Sequence, residues 1–222
     1  MLLNPHHPSL QRAITIHPRT RRDAISNSTR ILKPVSDNGK LGKGSNVITK
    51  GAWRGFPLFS LTLEERATCP DTCGRWRDCF GNNMGHAHRF GHDDALMVRL
   101  AMELSMLQDE HPEGFVVRLH ILGDFWSVAY VQFWIDALAQ YPALRIFGYT
   151  HRHPTLSPIG RAIARGLQNS RAWVRWSDSD GPMTATVSGR GIQCPEQTGK
   201  TQSCLTCALC WSTERAIAFL PH

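Results

Sequence analysis

The spacing of the cysteines limits what this chain can fold into more than any other feature. Cys204, Cys207 and Cys210 form an unbroken C-x2-C-x2-C run, and Cys194 lies ten residues upstream of it. Four thiolates so close in sequence predict a metal site. The unbroken run is typical of [4Fe–4S] ligands, whereas structural zinc usually takes two separated C-x2-C pairs. We therefore expect a [4Fe–4S] cluster here, with zinc as the alternative metal.

A second group of cysteines supplies only three thiolates. Cys69, Cys73 and Cys79 have the spacing C-x3-C-x5-C. Three thiolates on a four-iron cluster would leave one iron free to bind a substrate, a cofactor or water. Two alternatives stay open, namely a site shared with a C-terminal cysteine, or zinc completed by a downstream histidine. The histidines concerned are His86, His88 and His92.

The positive charge of the chain is concentrated at its N-terminal end. Residues 1–54 carry ten Lys or Arg against two Asp, which gives +8, and the remainder is close to neutral at −1. Residues 1–38 show little periodicity and predict a basic, poorly structured arm. Such an arm suits contact with nucleic-acid phosphates, and a solvated tail has the same composition.

Composition also bears on where the protein works. No apolar run is long enough to span a bilayer, and the first residues lack the pattern of a secretory signal. Clustered cysteines, odd in number, indicate a reducing compartment rather than disulfides. We therefore expect a cytoplasmic protein that does not contact the membrane.

Four β-rich runs alternate with three helical patterns in the middle of the chain. The runs are Phe56–Leu61, Phe115–Leu122, Leu144–Tyr149 and Trp173–Trp176. Candidate helix caps precede the helical patterns at Asp93 or Asp94, Ser127 and Ser157. This alternation predicts an α/β fold, either a partial (β/α) barrel or an open parallel sheet of about four βα units.

The same patterns suggest three segments. They are the N-terminal arm over residues 1–38, a βα core over 39–190 that carries the three-cysteine loop, and a Cys-rich, metal-binding C-terminal tail over 191–222. In βα folds, functional groups gather where strands end and loops begin. We therefore expect the Cys69–Cys79 loop to lie beside the ends of the other strands.

Four residues at these strand ends are candidates for the site. Gly123 permits close approach of the backbone to a ligand, and Asp124 could bind a cofactor or, alternatively, cap the following helix. Tyr149 and His151 end the next strand, where His151 could contact an anionic substrate or simply lie in a solvated loop. We expect Asp124 and His151 to line a catalytic cavity, and Gly123, Asp124 and Tyr149 to contact a cofactor.

Several stretches together resemble a known family. They are Asn38–Lys43, Thr68-Cys69-Pro70, Arg118–Phe125, Phe147–His151 and the terminal cysteine run. In these stretches the chain, over residues 37–211, is similar to the gene product eighty-eight-like proteins of phages and plasmids. The resemblance implies a protein of a mobile element in the cytoplasm of a bacterial host, and it says little about the activity.

A looser resemblance concerns radical S-adenosylmethionine enzymes. These also place a three-cysteine loop after the first strand and a Gly-acidic motif at the end of the next. They usually show C-x3-C-x2-C and Gly-Gly-Glu, whereas this chain has C-x3-C-x5-C and Leu122-Gly123-Asp124. The resemblance implies one or two [4Fe–4S] clusters, S-adenosylmethionine as a cofactor and an external electron donor. A metal-stabilised, non-enzymatic binding module is the alternative.

Overall fold

The structure, a computed structural model, describes residues 1–26, 30–187 and 189–221, and these form an α/β fold. The helices among them are α1 (Pro8–Gln11), α2 (Asp94–Glu110), α3 (Val128–Gln140), α4 (Pro158–Gly166) and α5 (Cys204–Cys207). The strands are β1 (Arg21–Arg22), β2 (Lys33–Pro34), β3 (Leu58–Ser60), β4 (Arg89–Phe90), β5 (Phe115–Leu119), β6 (Leu144–Thr150), β7 (Gln168–Asn169), β8 (Ala172–Ser177), β9 (Thr184–Val187), β10 (Ile192–Gln193) and β11 (Ile217–Phe219).

Nine strands belong to one mixed sheet. Their order is β10-β11-β9-β8-β6-β5-β3-β2, and β7 pairs with β8 outside this path. Neighbours are parallel except for β2 on β3 and β7 on β8, which are antiparallel. Within the described strands, β10 and β2 end the order and do not pair with each other, so the sheet is open. The α/β class is thus confirmed and a barrel is not.

The four predicted β-rich runs are the adjacent strands β3, β5, β6 and β8, and α2, α3 and α4 connect them in turn. The helices begin where the sequence predicts. Asp93 accepts a hydrogen bond from Leu96 N at 2.8 Å, and Ser127 and Ser157 cap α3 and α4 in the same way. None of the described helices combines the length and apolar composition that a membrane crossing needs.

Alternating side chains send the two faces of the sheet into different cores. Phe115 and Val117 of β5 pack with α2, α3 and α4 in the larger core. Val116, between them, points to the opposite face, where it packs with Trp53 and Trp211. This second face is covered by loops from both ends of the chain rather than by long helices. Both faces are therefore buried, as is usual for parallel strands.

The N-terminal segment contributes directly to these layers. Its regular elements are short, yet Ile31, Leu32 and Val35 are buried. The buried carboxylate of Glu103, on α2, accepts hydrogen bonds from the backbone nitrogens of Ile31 and Leu32, both at 2.8 Å. The described residues of the predicted arm therefore lie against the body, because a few apolar side chains and one carboxylate fix them there.

The C-terminal segment is also part of the sheet. β11 pairs with β9 and β10, and Ile217 is fully buried. A tail separate from the core is therefore not what the structure shows. The reason is that the short apolar strand β11 inserts between β10 and β9 and pairs with both. The division into three segments remains a prediction.

Candidate functional site

A cavity opens at the carboxyl edge of the parallel strands. Its volume is about 320 Å3. The loops after β3, β5, β6 and β8 all contribute to its wall, as expected for an α/β sheet. The predicted site residues that line this first cavity are Cys69, Cys73, Cys79, Gly123, Asp124, Tyr149 and His151. Seven predicted site residues therefore line the same cavity.

The three thiols of this cavity lie in a poorly solvated environment. Burial, with the charge of Asp124 added, raises the pKa of Cys69, and burial raises the pKa of Cys73 to about 11. Burial likewise raises the pKa of Cys79. Within the described part of the chain, no three His, Cys, Asp or Glu side chains form a group that could hold a metal ion as they stand. The thiols share a cavity without being arranged as a finished metal site.

The downstream histidines lie apart from these thiols. His86, His88 and His92 are not among the residues that line the first cavity. His88 instead lies 3.1 Å from Arg22 Nη2 and 3.3 Å from Lys33 Nζ, through its two ring nitrogens. The histidines that line the first cavity with the thiols are instead His120 and His151.

Asp124 is buried and connects three loops. Its carboxylate accepts hydrogen bonds from Thr150 Oγ1, His151 N and Phe125 N, each at 2.7 Å. Burial raises its pKa even though these hydrogen bonds oppose the shift. The suggestion that Asp124 caps α3 is wrong, because Ser127 does so. Asp124 therefore fixes the position of the His151 backbone.

Gly123 is required by packing between loops. Its φ of +86° lies in the left-handed region, and a Cβ there would meet Thr68 Oγ1 at 2.5 Å and Leu63 Cβ at 2.6 Å. Thr68 Oγ1 also accepts a hydrogen bond from Asp124 N at 3.1 Å. The close approach that glycine permits is thus to the residues just before Cys69, which positions the cysteine loop against β5.

His151 lies at the rim of the cavity beside an aspartate. Its Nδ1 is 4.0 Å from Asp178 Oδ2, and Arg75 Nε is 3.9 Å from the same oxygen. His151 and Asp178 also line an adjoining groove of about 760 Å3. A partly exposed histidine beside a carboxylate can accept a proton from, or donate one to, a molecule bound in the cavity or in the groove.

A second cavity of about 240 Å3 holds most of the C-terminal cysteines. Cys194, Cys204 and Cys210 line it, and Cys207 does not. Burial raises the pKa of Cys204 and of Cys210. Tyr149 donates a hydrogen bond to Cys210 Sγ at 2.8 Å. Three of the four predicted cysteine ligands therefore line one cavity, and the fourth, Cys207, does not line it.

The two cavities are neighbours. The side chains that line both are Phe80, Arg118, Ile121, Tyr149 and Phe219. Tyr149, expected to contact a cofactor, is thus part of a wall shared by the two cysteine groups. No described thiol lines both cavities, so the alternative of one site built from both groups has no support in this arrangement.

Sequence reasoning missed several residues that shape the site. Arg118, Thr68 and Thr150 lie within the stretches that carry the family resemblance, but neither they nor Asp178 are among the predicted site residues. Arg118 did leave a signal, because it is a charged residue within the otherwise apolar strand Phe115–Leu119. A charge in such a position is rare unless it is paired or functional. The contacts of Thr68 and Thr150 depend on loops that are distant in sequence.

Comparison of the chain with protein-family models, with curated proteins and with solved structures gives no match.

Proposed function

We propose that this chain is an iron–sulfur protein of the kind carried by phages and plasmids, and that it acts as a radical-type or other redox enzyme. Cys69, Cys73 and Cys79 would hold a [4Fe–4S] cluster at the first cavity. The observation that carries the proposal is that three thiols of one loop line a single cavity, with Asp124 and His151, at the carboxyl edge of the sheet. Ligands of open α/β sheets bind at this edge.

A cluster held by three thiolates has one iron that no cysteine occupies. When bound, it would supply electrons and a coordination site for a cofactor such as S-adenosylmethionine. The residues of the chain have separate tasks. Asp124 orients Thr150 and the backbone of His151, and His151 with Asp178 would hold or release a proton for a bound substrate.

The groove beside the first cavity supports access for a substrate. It is lined by His151, Asp178 and Trp176, among others, and its volume of about 760 Å3 suits a small molecule or one end of a polymer. The first cavity, which the thiols line, would hold the cofactor. His151 lines both spaces, so it would contact a substrate bound in the groove.

The C-terminal cysteines would hold a second metal centre. Cys194, Cys204 and Cys210 share one cavity, and Cys207 is three residues from two of them in the sequence. A local shift of the segment around α5 would be needed for Cys207 to join. A [4Fe–4S] cluster is the proposed occupant, and zinc is the competing metal.

Anaerobic purification tests the proposal directly. We expect iron and acid-labile sulfide in the protein, with the broad absorption of thiolate-to-iron charge transfer. Cys69→Ser should lose the iron bound at the first cavity and keep the fold by circular dichroism. Colourless protein with stoichiometric zinc in place of iron would refute the proposal.

The same variant separates the enzyme from the alternative, a metal-stabilised binding module. In a module whose metal holds the fold together, Cys69→Ser would unfold the protein. In the enzyme, we expect Cys69→Ser to leave the melting temperature within a few degrees, because buried hydrogen bonds and ion pairs already hold this loop. Cys207→Ser tests the second centre separately, because Cys207 lies outside the first cavity and its loss should leave the iron bound there unchanged.

Nucleic acid is the proposed class of substrate, because the N-terminal quarter of the chain is basic. Several of its cations are exposed, including Lys43, Lys50 and Arg54. We expect the triple variant Lys43→Glu, Lys50→Glu, Arg54→Glu to weaken binding to a short duplex at least tenfold and to flatten its salt dependence. Unchanged affinity would remove nucleic acid from the proposal.

A further inference from the structure

Arg118 lies between the two cavities and lines both of them. It belongs to the central strand β5, where its neighbours Val117 and Leu119 point into the larger core. Its guanidinium carbon is 4.5 Å from the ring centroid of Tyr149 and 5.5 Å from that of Phe147. Two aromatic rings therefore hold the cation in one position.

The guanidinium has almost no acceptors within the protein. The hydrogen bond it makes among the described residues is to Leu119 O, the carbonyl of its sequence neighbour. No described carboxylate lies within 4.0 Å of it. A guanidinium has several N–H donors in a planar fork, so most of its donors have no protein partner.

Arg118 is half-buried, and the fully buried arginines of the chain differ from it in having such acceptors. Arg89 donates to Glu65 at 2.6 Å, and Arg66 lies 3.7 Å from the same carboxylate. Arg175 donates to four backbone carbonyls. Buried charge is costly unless it is paired or hydrogen-bonded. Arg118 thus stands out as a cation whose partner the described protein does not provide.

The immediate surroundings of Arg118 are apolar and aromatic, and the carboxylates that line the first cavity, Glu65, Asp78, Asp124 and Asp178, form no ion pair with it. The shared wall adds Phe80, Ile121 and Phe219, so the cation is set among apolar and aromatic surfaces. In such surroundings a planar, bidentate contact from guanidinium to carboxylate or phosphate is strong and specific.

We propose that Arg118 binds the carboxylate or phosphate group of a small molecule that occupies the first cavity. The apolar wall would contact the rest of that molecule, and Arg118 would fix its anionic end. This inference goes beyond the proposed function, because it depends on the guanidinium and the cavity and not on which metal the thiols bind.

The test is anion binding by calorimetry to the full chain, with inorganic phosphate and acetate as probes and potassium chloride at equal ionic strength as the reference. We expect one or both probes to bind beyond the chloride reference, which also tells phosphate from carboxylate. Arg118→Met should weaken that binding at least tenfold, and Arg118→Lys should weaken it less, since the charge stays and the planar fork is lost.

A matched control is Arg30→Met, because Arg30 is an exposed arginine with its own partner, Glu110. It should bind the probes as the wild type does. If Arg118→Met fails to fold, Arg118→Lys decides, and wild-type affinity in Arg118→Lys would overturn the proposal. So would probe binding no tighter than that of chloride.

A third outcome is informative about the thiols. If Arg118→Met leaves phosphate and acetate binding unchanged but alters the iron content or absorption of anaerobically prepared protein, the guanidinium serves the thiolates of Cys204 and Cys210 and the anion proposal is wrong. Failure to find iron in any preparation would refute the proposed function alone, and the anion result would stand.

Discussion

The loop that carries Cys69, Cys73 and Cys79 and the segment that carries Cys210 are both held by buried arginines, but the acceptors differ. In the first region, Arg89 pairs with Glu65 at 2.6 Å. In the second region, Arg175 donates to backbone carbonyls at Cys210, Thr184, Thr213 and Arg215. Arg89 also donates to the backbone carbonyls of Gly81, Met84 and Ala87, so the two regions share this kind of contact and differ in the carboxylate that the first region adds.

This difference determines how each region fails. Glu65 also accepts a hydrogen bond from Thr15 of the N-terminal segment at 2.7 Å. Loss of Glu65 therefore leaves the cations of Arg89 and Arg66 without this carboxylate and removes one of the contacts that hold the N-terminal segment. Loss of Arg175 leaves carbonyls unsatisfied without leaving any buried charge. The first failure should be larger and should spread further through the molecule.

Glu65→Ala should give the largest effect. Removing one partner of a buried pair costs about 3–5 kcal/mol of unfolding free energy, because an uncompensated charge remains. Urea denaturation measures this change. The control is Glu110→Ala in the exposed pair with Arg30, which should cost about 1 kcal/mol or less. Equal effects of the two variants would mean that the buried network does not hold the loop.

Arg175→Met should give the second-largest loss of stability. The lost hydrogen bonds come from a charged donor, and we expect a loss of about 2–3 kcal/mol in unfolding free energy. The change should be local, so alkylation of Cys210 should become faster while that of Cys69 does not. Faster alkylation of both cysteines would show that the two regions are not independently held.

Acid should destabilise the fold through His120, which lines the first cavity. Burial, with the charge of Arg118 added, lowers the pKa of His120 to about 3, whereas an unfolded histidine titrates near 6.5. Between these values the unfolded chain binds a proton that the folded chain does not. Unfolding free energy should therefore fall as pH falls through this window, by up to about 1.4 kcal/mol per pH unit.

His120→Asn isolates that contribution, since asparagine tolerates the φ of +56° at this position. Denaturation at pH 7 and pH 5 should show a smaller loss of stability in the variant than in the wild type. Asp124 has the opposite sign, because its raised pKa favours the folded state as pH falls, and it is present in both proteins. Identical pH dependence in both would contradict the assignment to His120.

Tyr149→Phe should have the smallest effect. It removes the hydrogen bond to Cys210 Sγ and keeps the ring beside Arg118. We expect a loss of about 1 kcal/mol in unfolding free energy and a modest increase in Cys210 alkylation. An increase as large as that of Arg175→Met would mean that the tyrosine, rather than the arginine, holds the segment.

Much of the fold was predictable from local patterns. β3, β5, β6 and β8 each show a β-rich run, and Asp93, Ser127 and Ser157 are good helix caps because their side chains can accept a backbone N–H. Because both residues follow the carboxyl ends of parallel strands, Cys69 and His151 were expected to line the same edge of the sheet. These features depend on neighbours in sequence, which a single chain shows directly.

The remainder depends on contacts distant in sequence. The two-residue strands β1, β2 and β4 are too short to show a period, and they exist because the N-terminal segment packs on the body. The network of Thr15 with Glu65 joins residues 50 positions apart. The unpaired state of Arg118 is likewise a property of the assembled wall, and no local pattern contains it.

The wall that the two cavities share has a thermodynamic consequence. It consists of Phe80, Arg118, Ile121, Tyr149 and Phe219. A ligand bound in one cavity that moves these side chains changes the affinity of the other cavity for its own ligand. Linkage requires the two influences to be equal, so filling either compartment first must alter the affinity of the second by the same factor. Because the two cavities share this wall, the affinity measured at one cavity depends on whether the other is occupied.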